Sequence, residues 1–292
     1  MHMLNNGHLV ETLARFTHAI NGAHVAALEE LRPAYRKAIN TLRPGHLQAE
    51  AEGIKIGYED SDWVRHCKER EIFPHIVGPA SVSDGPTREE WDRQTTEALD
   101  LIEKIHPGLR RMVDLLVTDI IVLNSGADGG GSANQMPGVV MMSPGSNWLT
   151  LDYAMCIVHE GLHTGLFVLD TVYPMFTRPP SELAEPENRA LSAVKIGEKR
   201  PLHAALHAAA VAVPLMYMEH SQGERALVDQ YTQSLRDACD DMQTKRELFT
   251  EYGRLILDEM TEWAKTDPID FDQVGHGITS SEFSGYRPQS AA

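Results

Sequence analysis

Cysteine is nearly missing from this chain, with three residues in 292, at 67, 156 and 239. They are odd in number, widely spaced and lack a CxxC pair, which excludes a disulfide framework and a cysteine zinc knuckle and suits a reducing compartment. Long hydrophobic runs are also missing: no uninterrupted apolar stretch reaches the roughly 20 residues of a membrane span. The opening segment Met1 to Phe16 has neither a basic nor an apolar leader region, so the expectation is a cytoplasmic protein with no membrane partner. Basic residues are outnumbered, 26 Lys+Arg against 42 Asp+Glu, for a formal charge of −16. The short basic pairs Arg110-Arg111, Lys199-Arg200 and Lys245-Arg246 form no stripe that could neutralise phosphates, which excludes nucleic acid as the expected partner. The acidic surplus favours solubility and names no substrate. With 22 Gly and 16 Pro, both near average, the collagen-like and low-complexity classes are excluded too.

What is present reads as mostly helical. Apolar residues at helical spacing (Leu9, Leu13, Phe16, Ile20, then Val25, Leu28, Leu31, Tyr35) predict two helices between residues 9 and 41, interrupted near Asn21-Gly22 or Pro33. Turn chemistry through Ser83-Asp84-Gly85-Pro86 precedes Thr87 and Glu90, a capping-box spacing that predicts a helix to about Ile105, with Pro107 opening the next. The period then changes: Val117–Leu123 and Pro137–Met142 predict two short strands, read as a small hairpin closed by a flexible Gly-rich loop, 124–136. That loop lacks the Gly-Lys-Ser/Thr ending of a phosphate-binding loop. Apolar positions 151, 155, 158, 162, 166 and 169 trace a helix with Thr150 as its N-cap. A Pro-rich connection follows through Pro186, then an Ala-rich helix from Pro201 to about Glu219, one or two helices over 223–265, and a final 25 residues read as loop or tail. We expect a mainly α single domain, 1–292, with a small β-hairpin or sheet beside the central helix in a zincin-like local arrangement. It divides into an N-terminal helical region (1–86), a metal-site core (87–220) and C-terminal helices with a tail (221–292).

The chemistry sits in His159-Glu160-Gly161-Leu162-His163, an HExxH motif. Two imidazoles at i and i+4 share one helical face and can converge on one cation, with Glu160 beside it. A catalytic site needs a third protein ligand and open positions. The metzincin extension is absent, since Thr164-Gly165-Leu166-Phe167-Val168-Leu169 follows. A glutamate ligand would have to come from Glu182, Glu185, Glu187 or Glu198, in or at the exit of the Pro-rich connection. His203 and His207, one turn apart on the Ala-rich helix, are better placed, because its alanines and the Gly161/Gly165 strip would let two backbones approach closely. A di-iron bundle built on Glu103…His106 and Glu160…His163 would leave His159 unused. No GxSxG elbow is present.

Three ordered blocks carry a resemblance: Met136-Pro-Gly-Val-Val-Met-Met-Ser-Pro144, Ile157-Val-His-Glu-Gly-Leu-His163 and Lys199-Arg-Pro-Leu-His-Ala-Ala-Leu-His-Ala208. Together they resemble the HExxH-motif peptide-modification family found with ribosomal peptide natural products. The resemblance spans residues 110–220 and leaves 1–80 unmatched. It implies a largely helical Fe(II)- and 2-oxoglutarate-dependent dioxygenase, with no double-stranded β-helix, that uses O2 to hydroxylate the β-carbon of an amino-acid residue, in a peptide or free. Matched block to block, the metal ligands are His159, His163 and His207. The family's arginine falls on Arg200, whose planar fork suits the distal carboxylate of 2-oxoglutarate. Glu160 is the remaining candidate catalytic group. Two other readings stay open: a zinc metallopeptidase with Glu160 as general base, since imidazole suits both metals, and a non-catalytic peptide-binding relative.

Overall fold

The computed structural model describes residues 1–279 and is mainly helical, with twelve α-helices among those residues and a small mixed sheet. Residues group into two compact units: residues 13–167, and residues 1–12 together with those from 168 on. The boundary between 167 and 168 falls within one helix, Thr150–Val172.

In the first unit the sheet holds β1 (Lys55–Gly57), β2 (Asp119–Val122), β3 (Gly129–Gly131) and β4 (Val139–Ser143), in the spatial order β1-β2-β4-β3. The two strands expected to form a hairpin run parallel instead, Ile120 opposite Val140 and Ile121 opposite Met141. Parallel neighbours need a crossover of a dozen or more residues, and the 124–138 segment supplies it. Midway, that segment contributes β3, antiparallel to β4, so the Gly-rich stretch is an edge strand rather than a flexible loop. Every residue of β2 and β4 is buried, which is why both read as continuous apolar runs instead of alternating ones. Ile121, Leu123, Val139 and Met141 pack with Trp63, Val64, Cys67 and Ile76 on one face. By alternation Ile120, Val122, Val140 and Met142 point to the other.

Helix Gly85–Ile105 begins earlier than expected. Asp84 is its N-cap, accepting the Thr87 N–H at 2.9 Å, while Glu90 is taken by Arg93 and Gln94, so no Thr87/Glu90 box forms. Helix Pro107–Leu116 opens on Pro107 as expected, capped by His106, whose Nδ1 accepts the Gly108 N–H at 3.0 Å.

One buried cation ties this unit together. Arg43, at the C-cap of helix Leu28–Leu42, donates to Asp119 Oδ2 at 2.9 Å and Thr118 Oγ1 at 2.6 Å, and from Nε to the Pro137 carbonyl at 2.9 Å. It thereby joins the start of β2 to the approach to β4. The Arg43 and Asp119 side chains are 0% and 4% exposed, so each charge is dry without the other.

In the second unit, helices Leu202–Ser221, Ala226–Gln243 and Glu251–Ala264 pack with a two-stranded ladder, Ala190–Leu191 against Lys199–Arg200. The Pro-rich connection holds one short helix, Pro180–Leu183, and a 3-10 turn, Pro186–Asn188. Leu202–Ser221 is, among the described residues, the one helix long and apolar enough to cross a membrane, yet 78% of its apolar window is buried inside the protein. The expected tail is in part a helix, Phe271–Thr279, because Phe271, Val274 and Ile278 share one buried face and Phe271 stacks on His220 with centroids 4.3 Å apart. The rest of that expected tail, 280–292, lies outside the described residues.

Removing one partner of a buried pair strands the other charge, so Arg43→Met is expected to destabilise the protein by about 3–5 kcal/mol. Urea denaturation measures it, and a loss below about 1 kcal/mol would show that Arg43 does not hold the sheet.

Candidate metal centre

Helix Thr150–Val172 carries the HExxH motif. Thr150 is its first residue rather than its cap: its hydroxyl donates to Gln94 Oε1 at 3.0 Å, while Asp152 accepts the Leu149 N–H at 2.7 Å. The helix is buried nearly all round. Between its end turns the half-exposed positions 155, 159, 163 and 167 make a single stripe at i+4 spacing, and both imidazoles lie on it while Glu160 faces the interior.

His159 Nε2 and His163 Nε2 stand 3.1 Å apart. Two imidazole nitrogens about 2.0–2.1 Å from a common ion are about 3 Å apart when the angle at the ion is near 100°. The pair therefore already has the spacing of two ligands, with an angle between tetrahedral and octahedral values. Glu160 Oε1 lies 3.8 Å from His159 Nε2, and the three donor atoms fall within 4.8 Å of one another. Donor chemistry and spacing both fit a divalent metal, zinc and iron alike.

Glu160 is 5% exposed, and burial pushes its carboxyl up to about 7. Ser132 opposes that shift by donating its hydroxyl to Glu160 Oε2 at 2.7 Å. Burial also raises the Cys156 thiol well above its usual range, one turn before Glu160, so this cysteine stays protonated.

Each of the three glycines of β3 has its own constraint, and that of Gly130 bears on this geometry. Gly129 has φ +143°, a backbone conformation that side chains disfavour. A Cβ on Gly130 would lie 2.7 Å from Cys156 Sγ, 3.0 Å from Glu160 Oε1 and 3.1 Å from the Met141 carbonyl. A Cβ on Gly131 would meet the Phe73 ring at 3.1 Å. At Gly130, therefore, only a residue without a side chain lets β3 lie this close to the motif helix. On another side of that helix, Gly161 faces Val113 and Val117, and Gly165 faces Leu116, so helix Pro107–Leu116 and the residue after it fill the small strip that sequence reasoning gave to the Ala-rich helix.

The other expected residues lie in the second unit. Arg200 ends the short ladder, and His203 and His207 occupy the first two turns of helix Leu202–Ser221. Burial pushes His207 down to about 3, with the charges of His203 and Arg200 acting in the same direction, so its imidazole is neutral, the form that binds metals. His203 is lowered by burial and by Arg200 against the opposing effect of Asp170, and its buried Nδ1 has no hydrogen-bond partner. Arg200, His203, His207 and Asp170 thus form one electrostatic group.

Sequence reasoning missed Ser132, Gly130, Cys156 and Asp170. The one signal available was Gly129-Gly130-Gly131 itself, three consecutive glycines between apolar strands, a pattern that marks a close backbone approach as readily as a flexible loop.

Gly130→Ala forces a shift of Cys156, Glu160 or the Met141 backbone and is expected to cost about 1–3 kcal/mol. Gly45→Ala, at a position where a Cβ meets open space, is the control and should stay within about 0.5 kcal/mol of the parent. Equal urea midpoints for the two variants would overturn the packing argument.

Comparison with known proteins leaves these residues to be read on their own: no protein-family model matches the chain, and no curated protein is significantly similar to it.

Proposed function

We propose that the protein is an Fe(II)- and 2-oxoglutarate-dependent oxygenase that hydroxylates the β-carbon of an amino-acid residue, as the HExxH-motif peptide-modification family does. The observation that carries this reading is the convergence of His159 and His163, Nε2 to Nε2 at 3.1 Å, beside the buried Glu160. The three-block resemblance selects the oxygenase among metal-dependent reactions. In this reading His159, His163 and His207 hold the metal, and Arg200 pairs with the distal carboxylate of 2-oxoglutarate. A metal held there would supply, with 2-oxoglutarate and O2, the oxidant that turns a C–H bond into C–OH: one oxygen atom of O2 would enter the product hydroxyl and the other the succinate that forms, with CO2, from 2-oxoglutarate. Glu160, anchored by Ser132, orients a ligand or the substrate. The buried free thiols Cys67, Cys156 and Cys239 support a reducing, cytoplasmic setting.

One observation favours a second reading. A glutamic acid held near 7, with an oxygen 3.8 Å from a ligand imidazole, is poised to take a proton from water, as a zinc metallopeptidase requires.

Anaerobic reconstitution with Fe(II), followed by O2 and 2-oxoglutarate, should yield succinate; zinc-supported peptide cleavage without succinate would establish the second reading instead. His159→Ala and His207→Ala should each lower bound metal at least tenfold, measured by elemental analysis, whereas His203→Ala should retain it. Retention in His207→Ala with loss in His203→Ala would move the third ligand by one turn. Arg200→Ala should raise the KM for 2-oxoglutarate at least tenfold at unchanged metal content, and an unchanged KM removes its assignment.

A further inference from the structure

Sulfur is distributed unevenly over the molecule. The three cysteines are buried, and burial holds the Cys67 and Cys239 thiols up at about 12 and the Cys156 thiol well above its usual range, so none is a thiolate, the reactive form. Ten of the twelve methionines are buried too, none of them more than 4% exposed. Met1 and Met155 are the two that are not. Met155 lies on the half-exposed stripe of helix Thr150–Val172, one turn before His159. Helix propensity does not call for a methionine there, since leucine forms helix as readily. A methionine with access to solvent beside a metal-binding motif asks for a chemical reason.

Residues four apart on a helix are neighbours, their Cβ atoms about 5–6 Å apart. Met155 and Phe167 therefore flank the imidazole pair along the stripe, one on either side. Helical side chains lean toward the helix N-terminus, which displaces an ion shared by His159 and His163 toward Met155 and away from Phe167. The stripe thus sets an accessible thioether beside the place where a redox-active metal would be held. A thioether has no proton to lose before it reacts, and its oxidation is reversible, because sulfoxide reductases restore it. Oxidation of an imidazole, by contrast, destroys a ligand.

We propose that Met155 is the oxidation site of the metal centre: when iron at His159 and His163 meets hydrogen peroxide, the Met155 thioether takes the oxygen atom and spares the imidazoles. One peroxide oxygen adds to sulfur, which gives up two electrons, and the other leaves as water. A dithiol-dependent sulfoxide reductase reverses the step, its dithiol becoming a disulfide while the oxygen leaves as water. The sulfoxide is polar where the thioether was apolar, so oxidation also alters the surface beside the two ligands. The inference rests on the reading of His159 and His163 as metal ligands, and it needs neither 2-oxoglutarate nor a substrate.

Peptide mass spectrometry tests it by locating each added oxygen. The full-length protein is loaded with equimolar Fe(II) or Zn(II), or left without metal, and exposed briefly to hydrogen peroxide together with N-acetylmethionine as a free thioether standard. With iron, Met155 should be oxidised at least about tenfold faster than the standard, and with zinc or no metal no faster than it. His159→Ala should abolish the preference. In Met155→Leu, which nearly conserves volume, added oxygen should move to His159 and His163, and the iron retained after sulfoxide reductase treatment should fall below that of the parent. Oxidation of Met155 no faster than the standard in the iron-loaded protein, the same preference with zinc, or equal imidazole oxidation in parent and Met155→Leu overturns the proposal. Iron content and succinate formation, followed on the same samples, separate the two ideas. Iron bound without preferential oxidation of Met155 defeats this inference alone, whereas preferential oxidation in a protein that forms no succinate from 2-oxoglutarate defeats the oxygenase reading alone.

Discussion

The candidate site depends on one steric allowance, the missing Cβ at Gly130. It lets an edge strand lie against the interior side of the motif helix, where a side chain at that position would collide with Glu160 and Cys156. A carboxyl so enclosed loses water, and its charged form is disfavoured; the Ser132 hydroxyl restores part of what burial removes. The two imidazoles, on the accessible stripe of the same helix, are spared that enclosure. One helix therefore offers a dry acid and a pair of reachable candidate metal ligands within about one turn, and the division between them is set by which face the glycine strand covers.

The helical part of the fold was legible because its signals are local. Pro107 at a helix start and the apolar periodicity of the motif helix and of the Ala-rich helix report on neighbours three or four residues away. The paired imidazoles were legible for the same reason, since i,i+4 spacing on a helix guarantees a common face. Strand direction was not legible. Val117–Leu123 and Pro137–Met142 look alike whether they pair parallel or antiparallel, and the deciding fact, that the intervening segment returns as a third strand, is a tertiary one. The continuous apolarity of both runs was a usable clue, because strands buried on both faces do not alternate.

Helix ends were misplaced where two capping groups competed. Asp84 lies three residues before Thr87 and accepts its N–H, which makes Thr87 an interior residue. The final helix was missed because Gly275 and Gly277 dilute its pattern, although Phe271, Val274 and Ile278 keep the spacing of a buried face. Gly275 has its own reason: a Cβ there would stand 3.0 Å from the Tyr217 hydroxyl. The glycines that obscured the reading, here and in β3, mark places where two segments pass close together.

The sheet also bears on how the chain comes off the ribosome. Lys55 must wait for Asp119, and Asp119 for Val139, before β1, β2 and β4 exist as a unit. Pairings that distant in sequence form late, because the intervening loops must close first. Until residue 143 has emerged, the apolar runs of β2 and β4 have no partner and no cover, and Arg43 has no carboxylate to neutralise until Asp119 is made. The nascent chain thus carries an unpaired arginine and a sticky half-sheet through much of its synthesis, and the exposure ends only when β4 is made.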